Sequence, residues 1–157
     1  MTSHYIDIHL LGDPEFEPAQ LLEAMFAKLH RALSSLAITK LAITLPDLDE
    51  AKRVLGNHVR LIGPLASLQA LMATNWLSGM RDHVMVGAAA PVPESAPHRS
   101  LRRVQAKSNP ERLRRRLVKR HGITEAQAKV QIPDNAIEHL RLPSLAVRSA
   151  STGQSFR

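Results

Sequence analysis

Along the first ninety positions the apolar residues change period several times, and each change predicts an element. Tyr5, Ile6, Ile8 and Leu10 alternate with polar neighbours well enough for a strand over 4–11. From 18 to 36 the spacing becomes helical. Leu22, Met25, Phe26, Leu29, Leu33 and Leu36 form one stripe, and Pro18 stands at the start, where a missing N–H costs nothing. Residues 39–44 and 58–62 predict a second and a third strand. A second helix is predicted over 64–73, with Leu65, Leu68, Leu71 and Met72 on one side, and a fourth strand over 83–86. Strand, helix, strand, strand, helix, strand is the split βαβ, ferredoxin-like order, in which two helices cover one face of an antiparallel sheet.

Residues 88–98 break the pattern, and their three prolines read as a linker. A short extended piece over 101–105 follows. Ser108 and Asn109 are good caps, Pro110 suits a first turn, and Ser108 to Glu111 has capping-box spacing, so a helix should run from about 109 to 121 and end at Gly122. A short helix over 124–130 and a strand over 143–150 complete the reading. The expected class is α+β. A ferredoxin-like domain (1–90) is joined by a Pro-rich linker (91–98) to a smaller domain (99–157) that carries an arginine-rich helix.

Composition narrows the chemistry. Of 157 residues 44% are hydrophobic but only 3% aromatic, so the core must be aliphatic. The absence of cysteine excludes disulfides, thiolate metal sites and cysteine nucleophiles, and fits a reducing, cytoplasmic compartment. Met1-Thr2-Ser3-His4 shows no secretory signal, and the longest apolar stretches, 65–73 and 84–92, are too short and interrupted to span a bilayer.

Charge changes the picture more. The net charge is +7, yet residues 1–90 hold 7 Lys/Arg against 9 Asp/Glu, while residues 91–157 hold 14 against 5. Between Arg99 and His121 ten bases face one acid, Glu111. Such asymmetry points to a polyanion. An anionic membrane surface would want Trp or Phe opposite the bases, and this stretch has neither. In NPERLRRRLVKRH, Arg112, Arg116 and Arg120 follow at i, i+4 and i+8, with Arg115 and Lys119 beside them and Leu113 and Leu117 as a narrow docking strip. A solvated helix face normally mixes acids with its bases. This one does not, and a nucleic-acid groove is the better match. These residues alone do not separate RNA from DNA, because helix–HGIT–helix over 109–130 also fits a helix-turn-helix DNA regulator.

Val104–Thr124 (VQAKSNPERLRRRLVKRHGIT) carries a family resemblance. With HYIDIHL, DPEFEPAQLL (13–22), KLHRAL (28–33), PDLDE (46–50) and RSASTGQSF (148–156), it resembles the CRISPR-associated repeat-processing endoribonucleases of type I-F systems, the Csy-type branch of the Cas ribonuclease superfamily, along the whole chain. The resemblance implies an enzyme that binds the stem-loop of CRISPR repeat transcripts and cuts at the 3′ base of the stem by 2′-hydroxyl attack. It implies no metal or other cofactor. It also implies that the enzyme stays on the product and joins the other subunits of the type I-F interference complex. By position, His30 would be the catalytic histidine, Ser149 would hold the 2′-hydroxyl, and Ser151 and Thr152 would line the same pocket. Arg103 and Gln105 would read base edges, with Lys107 also on the RNA. Arg116 and Arg120 would enter the major groove, Arg112, Arg115 and Lys119 would sit on phosphates, and Phe156 would stack on the closing pair.

The chemistry agrees with that implication. A 2′-hydroxyl nucleophile must be aligned and must lose a proton, and a histidine suits the proton step. Without the resemblance, His30 on the edge of an apolar stripe reads as a core-edge residue. His4, His9, His58, His83, His98, His121 and His139 show no metal-ligand spacing and read as surface or core residues. An A-form major groove is too narrow for a helix except near an end or a loop, so a short hairpin is the expected ligand. The family pattern continues past the STGQ segment, so the second domain is expected to be truncated, with binding surviving better than catalysis. The alternatives are a catalytically impaired hairpin-binding protein of the same family and the DNA regulator.

Overall fold

The structure is a computed structural model that describes residues 3–98, 100, 104, 109–136, 140–148, 153, 155 and 156. The chain forms two compact units, residues 1–99 together with 142–157, and residues 100–141. Leu145 packs against the core of the first unit, and the Ala146 N–H bonds Glu23 there.

In the first unit β1 (His4–Leu10) is a central strand. It pairs antiparallel with β3 (His58–Gly63) on one side and β4 (Val84–Val86) on the other, and β2 (Ala42–Thr44) closes the far edge against β3. The order β2-β3-β1-β4, antiparallel throughout, is the ferredoxin-like order the pattern predicts. Alternation along β1 and β3 sends Ile6, Ile8, Leu10, Val59 and Leu61 into the core.

Over this face lie α1 (Pro18–Ser35) and α2 (Leu65–Met72). Pro18 opens α1, and Gln20 Oε1 accepts the Glu17 N–H at 3.2 Å. The helix buries Leu21, Leu22, Met25 and Leu29, and α2 buries Leu68 and Leu71. A fully buried leucine such as Leu29 is worth about 2–5 kcal/mol against alanine. Trp76, Leu77 and Met80, in the turn after α2, complete the core.

Several elements differ from the pattern, each for a local reason. The strand expected over 39–44 is only Ala42–Thr44. Residue 37 adopts φ +51°, and Ile38 and Leu41 then pack against the core before pairing begins. The expected linker starts late. β5 (Ala90–Pro91) pairs with His4 and Tyr5 of β1, and the Val92 N–H donates to Ser3 O at 2.9 Å. A proline is tolerated there because this is an edge strand. The strand expected over 143–150 is reduced, in its described part, to β6 (Val147–Arg148), which pairs with β7 (Ser155–Phe156). Pro143 has no N–H, and the Ala146 N–H is taken by the Glu23 side chain. Of the expected extended piece over 101–105 only Val104 is described, and it is outside any strand.

The second unit is a helix pair, α3 (Pro110–His121) and α4 (Glu125–Gln131), followed by one tight helical turn, Asp134–Ala136. Asn109 caps α3, its Oδ1 accepting the N–H groups of Glu111 at 3.0 Å and Arg112 at 3.3 Å. Gly122 ends α3 at φ +63°, a conformation that favours glycine. Thr124 and Gln127 form a reciprocal capping box on α4.

Candidate nucleic-acid interface

Helix α3 sorts its residues by face as the i, i+4, i+8 spacing predicts. Arg112, Arg115, Arg116, Lys119 and Arg120 are exposed, and none has an acidic partner among the described residues, whereas Leu113, Leu117 and Val118 are half-buried and face α4, whose Ala128 is fully buried. The twelve residues of α3 make a rod of about 18 Å. Five cations along it form a surface that attracts phosphates from outside and that no acid among the described residues neutralises.

Arg114 is different, and nothing in its spacing signals this. Its Nε donates to Ile132 O at 2.7 Å, its Nη2 bonds Asp134 Oδ1, and its side chain is only 17% exposed. The Arg114 guanidinium lowers the pKa of Asp134 below the usual carboxylate value, first through this hydrogen bond. Arg114 is therefore a structural bracket between α3 and the turn after α4, and it sets which way the other five cations point.

In the first unit His30 is exposed on α1, next to the fully buried Leu29. Seven residues earlier on the same helix, Glu23 Oε1 accepts the Ala146 N–H at 2.9 Å. Seven residues bring a helix round to nearly the same bearing, roughly 10 Å along. The segment entering β6 is thus fastened to the face of α1 that also presents His30, with Leu145 packed against the core. β6 ends at Arg148, one residue before Ser149.

The expected positions Ser149, Ser151, Thr152, Arg103, Gln105 and Lys107 lie outside the described residues. Phe156 lies in β7, and only its backbone pairing with Val147 is described.

The face of the sheet away from the helices carries a second polar group that the sequence reading left as scattered histidines. Asp7 accepts from Arg60 Nε at 2.6 Å and Nη2 at 2.9 Å and lies 2.7 Å from His58 Nε2. His9 stacks on His58 with centroids 4.1 Å apart, and the Arg60 guanidinium lies 4.5 Å above the Tyr5 ring. Gly56 (φ +78°) lets Asp47 close in from the side. A Cβ at Gly56 would meet Asp47 Cβ at 2.4 Å, and Asp47 Oδ1 lies 4.0 Å from His58 Nδ1. The Arg60 hydrogen bonds hold Asp7 below the usual carboxylate range against the opposing effect of burial. These partners satisfy one another, and their register across β1 and β3 explains why: Asp7 faces Arg60 and His9 faces His58.

No described helix is long and apolar enough to cross a membrane. The family model for CRISPR-associated protein (Cas_Csy4) matches residues 5–157. Two curated relatives are both named CRISPR-associated endonuclease Cas6/Csy4. The one from Pseudomonas aeruginosa (strain UCBPP-PA14) is 49% identical over 154 residues, covering 98% of this chain and 82% of the relative. The one from Escherichia coli (strain UTI89 / UPEC) is 40% identical over the same length and coverage.

Proposed function

Because the chain belongs to the Cas_Csy4 family of CRISPR-associated proteins, we propose that it is the endoribonuclease that binds the stem-loop of CRISPR repeat transcripts and cuts at the 3′ base of the stem. The observation that carries this reading is the outward set of Arg112, Arg115, Arg116, Lys119 and Arg120 on α3, with no acidic partner among the described residues. A short hairpin lets such a rod enter the major groove near the loop or the helix end. Arg116 and Arg120 reach base edges there, and Arg112, Arg115 and Lys119 hold phosphates. Arg103, Gln105 and Lys107 contact the lower stem, and Phe156 stacks on the closing pair.

Cleavage follows from the ribose itself. The 2′-oxygen before the cut forms a bond to the adjacent phosphorus as the bond to the 5′-oxygen breaks. The 2′-hydroxyl loses a proton and the leaving oxygen gains one. His30, exposed and held on a packed helix, moves that proton. Ser149 orients the 2′-hydroxyl, and Ser151 and Thr152 line the pocket. The nucleophile is internal, so no metal-activated water is needed. The product keeps its terminal phosphate and stays on α3, ready to join the other subunits of the type I-F interference complex in the cytoplasm.

The helix-turn-helix DNA reading loses ground on charge placement. In that motif the second helix enters the groove, whereas here α3 carries the cations and α4 offers only Glu125 and Lys129. The deciding experiment incubates the protein with a labelled repeat hairpin, with and without a 2′-deoxy sugar at the cut, in EDTA. Cutting of the ribose substrate alone is the expected result. Cutting of the deoxy substrate, or a strict Mg²⁺ requirement, would overturn the mechanism.

A further inference from the structure

The face of the sheet away from the helices ends in an exposed apolar strip. The alternation that buries Ile8 and Leu10 turns His9 and Leu11 to this face. β4 extends it in register: His9 faces Met85, and the Leu11 N–H donates to His83 O at 2.9 Å. His83 and Met85 flank the buried Val84, so they share the open face. The Phe16 ring stands edge-on to the His83 ring, with centroids 5.8 Å apart. Leu11 (43% exposed), Phe16 (45%) and Met85 (58%) therefore lie together around His83 and are not scattered single residues. Phe16 is held in place although it is exposed. Asp13 Oδ1 accepts the N–H groups of Glu15 at 2.8 Å and Phe16 at 3.2 Å, and Asp13 Oδ2 lies 3.1 Å from His83 Nδ1. An aromatic fixed before binding loses little freedom on docking.

Charge says what the strip can take. Glu15 and Glu17 flank Phe16, and Asp82 precedes His83. All three are exposed, and none has a cationic partner among the described residues. Arg81, the base next to Asp82, is turned to Asn75 Oδ1 at 2.7 Å. An acidic rim repels phosphates, so this face suits a protein and not a nucleic acid. It complements a segment that mixes Lys or Arg with apolar side chains. A protein held on the same RNA is of that kind, because it must carry cations to the phosphates. Resting on the reading that the chain stays on its product beside other subunits, we infer that the strip of Leu11, Phe16 and Met85 docks a basic, RNA-holding subunit of the interference complex. Phe16 and Met85 are the apolar anchors, and Glu15, Glu17 and Asp82 select the partner by charge. The contact adds a second link to the shared RNA, and two links together hold far more tightly than either alone.

The test separates the protein contact from the RNA tether. The remaining subunits are assembled on a guide RNA that ends before its 3′ hairpin, and the full chain is added with a separate hairpin already bound. Association is expected, and it should weaken as salt rises. F16S/M85S, which breaks no described hydrogen bond, and E15Q/E17Q should each weaken it by about tenfold or more. Both variants should keep hairpin affinity and cutting within about twofold, because α3 and His30 are untouched. Met85 is one of five methionines. Its methyl resonance, identified by its loss in M85S, should shift when the subunits are added and stay in place with the hairpin alone. Absence of association by the parent chain, or association that survives both variants, overturns the inference. A Met85 methyl that shifts with the hairpin alone overturns it too, since the strip would then face RNA. Failure of the parent chain to bind the hairpin would instead sink the function proposed above, so the two failures are distinguishable.

Discussion

Glu23 and Ala146 are joined across 123 residues of sequence by one 2.9 Å hydrogen bond from backbone N–H to carboxylate. This bond fastens the entry to β6 onto the helix that presents His30. A hydrogen bond to a charged group is worth about 1.5–3 kcal/mol. E23A should therefore loosen β6 and slow cutting by about tenfold at saturating hairpin while binding stays within twofold, because α3 is untouched. E23Q keeps an oxygen acceptor and should recover much of the rate. H30A should leave no cutting at all with affinity within a few-fold. Single-turnover cleavage and filter binding on the three variants check this. A binding loss in E23A equal to its rate loss would contradict the positioning role.

The arginines of α3 divide into two classes that sequence spacing does not separate. R116A and R120A should each weaken hairpin binding by about 1–3 kcal/mol and flatten its salt dependence, with the thermal midpoint unchanged. R114A should act through the fold. Losing the Ile132 carbonyl bond costs about 1.5–3 kcal/mol and should raise amide exchange over 125–136, with any affinity loss following from the loosened helix. Calorimetry, amide exchange and titration at two salt concentrations separate the classes. Equal thermal midpoints for R114A and R116A would refute the bracket.

How far the sequence discloses this molecule depends on whether a feature is periodic. The apolar alternation in β1 and the stripe from Leu22 to Leu33 place strand and helix within a residue or two, because burial imposes those periods directly. Pro110, Asn109 and Gly122 set both ends of α3 through local backbone chemistry. What escaped was fixed by distant partners. β5 forms because β4 pairs only with Ile8–Leu10 and leaves the edge of β1 open at His4 and Tyr5. Arg114 turns inward because Ile132 and Asp134 wait for it, and the polar set around Asp7 exists only once β1 and β3 pair in register. The same limit applies to the site. His30 on its own reads as a core-edge residue, and only the KLHRAL resemblance marks it out. Its outward exposure then depends on how the helix packs.

The Asp7 network predicts a pH dependence of stability. Arg60, and then His58, lower the folded-state pKa of this carboxylate below its ordinary value. A depressed carboxylate stabilises the fold fully above its unfolded pKa, near 3.9, and loses that contribution as pH falls through the lower folded value. At neutral pH D7N should be less stable than the parent by about 1–3 kcal/mol, since Arg60 and His58 lose their acceptor in a partly buried site. Urea titrations at pH 7 and at successively lower pH should show the gap narrowing only below about 4. A gap that is constant with pH would mean that Asp7 acts by shape and not by charge.

The end of α1 offers a stabilising change and an internal control. After Ser35 the chain turns with Ala37 at φ +51°, the Ala37 N–H bonding Ser34 O at 3.2 Å and the Ile38 N–H bonding Leu33 O at 3.0 Å. This is the paired closure that usually carries glycine at the left-handed position. Holding an alanine there costs about 1–2 kcal/mol, against roughly 0.4–1 kcal/mol gained from its stiffer unfolded chain. A37G should therefore stabilise the protein by up to about 1 kcal/mol, or about 2–4 °C in Tm for a domain of this size. The same replacement at the exposed Ala24, in mid-helix, should destabilise by about 1 kcal/mol. Two identical chemical changes, one inside α1 and one just past its end, would then shift Tm in opposite directions. If both lower it, the turn at Ala37 is not under left-handed strain.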